Sequence, residues 1–524
     1  MFRKNYKYIN LVITYSKRRQ KKMKRNEISK HLYFFMVVLI VLGVSQLSIK
    51  AETIDSEKYL IRWDPSKSKI DGNIGQKKIG NYNKIYITDT NGRSLILHGL
   101  NTANSSKGSA DGMPWITEQN VEQEAKEMGS NFVRFLIDWS HIEPKRGEYN
   151  EAYLDKVAER IEWYKKQGVH VLLDMHQDIY GPKVHGNGAP PWATYDDGLP
   201  VTPQNPWSLT YLQPGVMRSF DNLWNNKNNI QQDYSNMWKH VAQRFSDNNT
   251  VIGYDIMNEP FGGSNIWPFF EKNKLANMYQ KVINTIRTVD QQHWIFYEPQ
   301  AFGVNQGLYS TLPKLQDPRQ GKAQLVYTPH LYPILLETNA PYTGITKALV
   351  RNTIHTWCNN RMQESKNYNA PIVLGEYGLD VTKDGRLDYV DDVLDMIDSI
   401  GSGFAYWSND YGSWGPYDEH GNFNALAERL ARPYPRAIAG SPIDWNYDKN
   451  TKVLTVKWGG NPNVSGPTEL FLSPKYYPNG WDIKANDPND INWSTKWDAE
   501  RHILKIYTNT NTNHTNHDFS ITPK

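Results

Sequence analysis

The chain has 524 residues, 39% apolar and 13% aromatic, enough for a large packed core and for more than one domain. Twelve of its 59 basic residues but only one of its 55 acids fall in residues 1–51, so the formal charge of +4 becomes −7 once that stretch is set aside, and the basicity gives no reason to expect nucleic acid as a partner. A single cysteine, Cys358, excludes an internal disulfide, and no Cys/His cluster has zinc spacing.

Residues 1–31 carry eleven Lys or Arg against Glu27, and residues 32–44 form an apolar run of thirteen. As a helix that run covers about 20 Å, short for a bilayer crossing. With the small residue Ala51 beyond it, residues 1–51 read as a secretory signal, starting at Met1 or, as a more ordinary signal, at Met23. The expectation is a secreted protein, or one retained at the cell surface where the signal stays uncleaved.

Asn91-Gly92, between residues 85–88 and 94–97, is hairpin-turn chemistry. Short β-branched or aromatic runs then recur at 95–99, 132–137, 170–175, 251–256, 294–297, 325–328, 372–374 and 404–407. Between them lie stretches of helical period, among them 118–128 closed by Gly129, 151–167 closed by Gly168, 276–289, and 389–400 closed by Gly401. Eight strand–helix units predict the α/β class and a (β/α)8 TIM barrel over residues 52–436. Residues 181–232 break the rhythm with Gly, Pro and large aromatics (Trp192, Trp207, Tyr211, Trp224), which predicts a long lid or binding wall. After Pro433, Pro435 and Pro442 the pattern changes to short strands at 453–456, 469–472, 502–507 and 519–521, predicting a small C-terminal β-sandwich over 437–524.

Barrel chemistry sits at the C-terminal ends of the strands. Two such ends carry a glutamate in a polar turn after an apolar run: Asn258-Glu259-Pro260 after the fourth, and Gly375-Glu376-Tyr377-Gly378 after the seventh. A pair of carboxyls about 5 Å apart is what glycoside hydrolysis with retention needs, one as acid and one as nucleophile, and their closeness raises the proton affinity of one of them. A strand-end glutamate alone also serves as a helix cap or an arginine partner. Glu143 and Glu298, each before a proline, compete, but they rank as loop or helix-start residues. Arg134 lies within the second strand and needs a carboxylate such as Glu376 beside it. His176 and Asp178 follow the third strand, His330 and Tyr332 the sixth, and all four point into the same mouth. Trp407 ends the eighth strand, where an indole face can stack on a sugar, and Asn258 can donate to a sugar 2-hydroxyl.

These residues resemble glycoside hydrolase family 5 of clan A. The similarity is closer to the endoglycoceramidases, through Gly99-Leu100-Asn101-Thr102 with Lys107, Asp174-Met175-His176-Gln177-Asp178, Asn258-Glu259-Pro260-Phe261-Gly262-Gly263, and Pro329-His330-Leu331-Tyr332-Pro333. The resemblance implies Glu259 as acid/base, Glu376 as nucleophile, and Lys107 and Asp178 binding the sugar next to the scissile bond. It implies hydrolysis of the β-linkage between oligosaccharide and ceramide in glycosphingolipids, with no metal or cofactor, by a monomer that meets a lipid or micelle surface peripherally. The alternatives are a relative selective for glucosylceramide or galactosylceramide, a β-glucanase or cellulase, and a non-enzymatic glycolipid-binding barrel. Substrate assays separate the first two from the leading reading, and the presence of both carboxyls speaks against the last.

Overall fold

The computed structural model describes residues 85–265, 267–508 and 516–524. The expected signal, the first part of the expected barrel span and most of the polar run before Asn516 lie outside the described residues. Eight parallel strands form one sheet: β1 (His98–Asn101), β2 (Phe132–Ile137), β3 (His170–Met175), β4 (Val251–Asp255), β5 (Trp294–Tyr297), β6 (Leu325–Tyr327), β7 (Val373–Tyr377) and β8 (Gly403–Tyr406). They follow one another around the barrel, β8 pairs with both β1 and β7, and a parallel bridge from Tyr327 to Ile372 joins β6 to β7.

Parallel strands flanked by helices are buried on both faces, which is why they read as nearly continuous apolar runs. Alternation along each strand then sorts the side chains. Phe132, Leu172, Phe296 and Val326 share an interior cluster, whereas Val133, Phe135 and Ile137 of β2 and Val171, Leu173 and Met175 of β3 pack outward against the helices. The same parity places Arg134 two residues past Phe132, Asp174 two past Leu172, and Glu298 two past Phe296 on the inner face. An apolar floor is therefore overlaid by charge toward the C-terminal mouth.

Helix Glu118–Glu127 starts with a capping box between Thr117 and Asn120, and Glu151–Gln167 and Arg386–Ile400 end at Gly168 and Gly401 in the left-handed conformation. Within the barrel, two expectations change. The first barrel strand begins at His98, because Ser94–Leu95 pairs antiparallel with Tyr434–Ile438 of the C-terminal domain instead. Residues 181–232 are not simply a loop: Pro214–Trp224 is a helix burying Val216, Phe220, Leu223 and Trp224, a helical spacing masked by the surrounding Gly and Pro. This lid is packed, with Tyr211 against Phe261 and Phe302 and with Trp224 Nε1 donating to the Phe261 carbonyl at 2.8 Å.

Two antiparallel sheets, one of five strands that includes Ser94–Leu95 and one of four, enclose Trp445, Leu454, Trp458, Leu470, Ile506 and Phe519. Strands Tyr434–Ile438 and Gly440–Asp448 run straight through the proline cluster. Pro435 and Pro442 sit at register shifts, where a missing N–H does not break a ladder. The expected junction between 436 and 437 falls inside the first of these strands, Tyr434–Ile438, which pairs with Ser94–Leu95 on one side and Thr468–Phe471 on the other. Tyr434 stacks on His98 of β1 at 3.6 Å and its hydroxyl donates to the Gly129 carbonyl, tying the two domains. Among the described residues no helix is long and apolar enough to cross a membrane.

Glu124, buried on helix Glu118–Glu127, accepts hydrogen bonds from Asn409 and Tyr417 of the segment after β8. Burial pushes its carboxyl up to about 8, against the pull of those two donors. A folded value above the unfolded one means that its stabilising contribution is complete below the unfolded value and is lost as pH rises through about 8. Between these values stability is expected to fall by up to about 1.4 kcal/mol per pH unit from this group. Glu124→Gln should flatten that slope in calorimetric melts taken across the same pH range; parallel slopes for variant and wild type would count against it.

Candidate active site

Glu259 lies just past β4 and Glu376 within the end of β7, and one carboxylate oxygen of each lies, with a ring nitrogen of His330, inside a group spanning at most 4.8 Å. Retaining glycosidases hold their two carboxyls about 5–5.5 Å apart and inverting ones about 6.5–9.5 Å. The chain reaches this spacing through two local distortions. Leu374 pairs with Phe404 and Tyr377 with Tyr406, three steps against two, and the extra residue re-aims Glu376 from the outward parity of Leu374 into the mouth. Glu259 has φ of 42°, a left-handed conformation that non-glycine residues rarely adopt and that clusters at functional sites. Gly375 is required by close approach, since a Cβ there would meet Thr328 Oγ1 at 2.7 Å and His330 Nε2 at 2.9 Å.

Arg134, with its side chain wholly buried, binds the site together. Its Nη1 donates to Glu376 Oε1 at 2.6 Å and to Asn101 Oδ1 at 3.0 Å, its Nε to Asp255 Oδ2 at 3.0 Å, and its Nη2 to Asn258 Oδ1 at 2.9 Å and Glu298 Oε1 at 2.8 Å. Asp174 Oδ1 lies 2.8 Å from the same Nη2. Burial and Glu298 push the Asp255 carboxyl upward, and Arg134 pulls it the other way.

The two glutamates are driven apart. Burial raises Glu259, and Glu376 and Glu298 add to this, against a lowering contact from His330, whose Nδ1 lies 3.0 Å from Glu259 Oε1. Burial works in the same direction on Glu376, but His330, Arg134, His176 and Lys107 outweigh it and hold that carboxyl below its ordinary value. Asn305 Nδ2 donates to Glu259 Oε1 at 2.7 Å, and the Tyr332 hydroxyl donates to Glu376 Oε2 at 3.0 Å. His330, opposed by burial but facing Glu298 and Glu376, is raised well above the usual imidazole range. Both directions support Glu259 as the proton donor and Glu376 as the charged group.

On the other side of Glu376, His176 Nδ1 lies 2.7 Å from Asp174 and its ring stacks on Trp407 at 5.4 Å. Lys107 Nζ donates to Asp178 Oδ2 at 2.6 Å and sits 4.1 Å from the centre of the Trp407 ring. Asn258 Nδ2 donates to the Gln177 carbonyl at 3.0 Å, which orients the amide beside His176. Lys107, Arg134, His176, Asp178, Asn258, His330, Tyr332 and Trp407 thus surround the glutamate pair in one connected network.

Besides Asn101, which accepts from Arg134, sequence reasoning passed over four members. Glu298, ranked as a loop residue, is buried, accepts the Glu259 backbone N–H at 2.8 Å and lies 3.3 Å from His330 Nε2. The inward parity from Phe296 was the signal that finds it, as the parity from Leu172 and Gly253 finds Asp174 and Asp255. Asn305 had no such signal, since it sits deep in the segment after β5. Glu143, by contrast, accepts from Trp139 Nε1 and the Gly147 N–H and stays in its own turn. Tyr417 is buried against Trp115 and Tyr411 and bonds Glu124, so it braces the segment after β8.

Activity on a glycoside with an alkyl leaving group is expected to be bell-shaped with an acidic optimum. The low-pH limb follows protonation of Glu376 below the usual carboxylate range, and the high-pH limb follows loss of the Glu259 proton above it. An aryl glycoside whose leaving group needs no proton should lose the upper limb in kcat/KM. A rate on the alkyl substrate that keeps rising through neutral pH would oppose these assignments.

Residues 88–413 match the family described as cellulase (glycosyl hydrolase family 5), and residues 432–521 match the glycoside hydrolase family 5 C-terminal domain. Endoglycoceramidase II from Rhodococcus sp., solved as a ganglioside GM3 complex, is 42% identical with a TM-score of 0.80, covering 84% of this chain and 100% of that one. The same enzyme solved as a lactosyl-enzyme intermediate is 42% identical with a TM-score of 0.77, covering 84% and 99%. Endoglycoceramidase I of Rhodococcus hoagii is 28% identical over 414 residues, 76% of this chain and 81% of the relative. With that match running through both domains and the paired carboxyls in place, the chain belongs to glycoside hydrolase family 5, among its endoglycoceramidases.

Proposed function

We propose that the protein hydrolyses the β-linkage joining oligosaccharide to ceramide in glycosphingolipids, with retention, and releases the glycan intact. The observation that carries this is the span of at most 4.8 Å enclosing oxygens of Glu259 and Glu376. In the first step the Glu376 carboxylate bonds to the anomeric carbon while the bond to the ceramide oxygen breaks and Glu259 gives that oxygen its proton. In the second, Glu259 takes a proton from water, whose oxygen bonds to the anomeric carbon as the Glu376 ester bond breaks. Lys107, Asp178, His176 and Trp407 form the polar, aromatic side suited to the sugar. The relative solved both with ganglioside GM3 and as a lactosyl-enzyme intermediate supports the substrate class.

Contact with a lipid surface is supported by where large apolar side chains are exposed. Of the eight large apolar side chains exposed among the described residues, six, Trp207, Phe269, Tyr309, Ile345, Tyr411 and Trp414, lie on segments that follow barrel strands, and Ile491 and Tyr507 lie on the C-terminal domain. A secreted or cell-surface enzyme fits such a substrate, and the basic and apolar stretch before Ala51 supports that placement.

Purified protein incubated with a ganglioside in detergent should yield free oligosaccharide and ceramide in equal amounts, with the β-anomer appearing first by NMR. Cleavage of glucosylceramide alone would move the reading to a one-sugar ceramidase, and hydrolysis of soluble glucan alone would move it to a glucanase.

A further inference from the structure

Glu298 follows Tyr297, the last residue of β5, and its carboxyl meets donors from three other parts of the barrel. Oε1 accepts from Arg134 Nη2 at 2.8 Å and lies 3.3 Å from His330 Nε2, while Oε2 accepts the backbone N–H of Glu259 at 2.8 Å. Arg134 holds Glu376 through its other terminal nitrogen at 2.6 Å. Three short bonds thus run from Glu376 through Arg134 and Glu298 to the backbone of Glu259. The last of them fastens a residue whose φ of 42° needs outside support.

We propose that Glu298 is a positioning residue for the acid/base: it ties the main chain of Glu259 to the arginine that holds the nucleophile and so sets the gap between the two reacting carboxyls. This rests on the double-displacement reading above. Both oxygens face donors, so a glutamine must turn its NH2 against either Arg134 or the Glu259 N–H, donor against donor. An aspartate keeps the charge but is one methylene too short to reach both ends.

The role predicts a split between substrates. A displacement of about 1 Å at a reacting group costs roughly a hundredfold in rate. Glu298→Gln is therefore expected to lower kcat/KM on a ganglioside by about 100-fold. On dinitrophenyl β-lactoside, whose leaving group needs no proton, kcat/KM should fall less than about fivefold, and added azide should raise turnover and give β-lactosyl azide. Glu298→Asp should show the same split, which keeps the test available if the glutamine variant melts early. Equal losses on the two substrates in a variant that melts near wild type, or wild-type behaviour in both variants, would overturn the role. A wild-type enzyme inactive on both substrates would instead overturn the hydrolase reading, and the proposal with it.

Discussion

Replacing Glu376 with glutamine is expected to lower turnover of a ganglioside and of an activated aryl β-lactoside alike by about 10⁵-fold, the order of loss seen when a covalent nucleophile is removed. An activated leaving group cannot compensate, because the missing event is bond formation at the anomeric carbon and not proton transfer. The substitution should leave the fold intact. A glutamine oxygen can still accept from Arg134 Nη1, now 2.6 Å from Glu376 Oε1, and its NH2 can donate to the Tyr332 hydroxyl after that hydroxyl rotates. Cutting the side chain back further, in Glu376→Gly, opens room for an external nucleophile on the same face of the sugar. With azide and an activated β-lactoside this variant should give α-lactosyl azide, the opposite anomer to that expected when only the acid/base is disturbed. Product NMR decides the matter: a β-azide from Glu376→Gly, or a glutamine variant keeping more than about a hundredth of wild-type turnover, would remove Glu376 from the nucleophile's place.

How much of this was legible follows from which physical signals are local. The barrel strands are buried on both faces and so stand out as apolar runs; residues 132–137 and 170–175 match β2 and β3 end to end. The glutamate pair is readable because each closes such a run with a polar turn. Glu298 carries the same inward parity as Phe296, yet Pro299 beside it gives the stronger local impression of a helix start, and the parity is decisive only once β5 is known to end at Tyr297. Helix Pro214–Trp224 is hidden for a similar reason: its spacing is helical, but Gly215 and the prolines before it dominate a short window. Pro435 and Pro442 read only as a change of pattern, because the bulges that tolerate them within strands depend on partner strands far along the chain. Asn305 is beyond any local signal, since it reaches Glu259 only through the closure of the barrel.

Arg134 is where stability and chemistry meet, and Arg134→Met is expected to destabilise the protein by about 3–5 kcal/mol, the penalty for stripping buried charges of their partner. The arginine is fully buried and touches carboxyl oxygens of Asp174, Asp255, Glu298 and Glu376. A methionine fills much of its volume, so the loss measures charge and hydrogen bonding more than a cavity. The deficit should be largest near neutral pH and shrink as pH falls, because the abandoned carboxyls can then take up protons. In linkage terms, the variant's folded state binds protons more tightly than its unfolded state, so the stability recovered at low pH disappears again as pH rises. Arg134→Lys should recover only part of the loss, since one ammonium cannot present the five fixed donors that reach these acids together with Asn101 and Asn258. Calorimetric melts at several pH values test this directly. A methionine variant within about 1 kcal/mol of wild type at neutral pH, or one whose deficit does not move with pH, would show that the acids around Arg134 are already neutralised among themselves and that the arginine serves Glu376 alone.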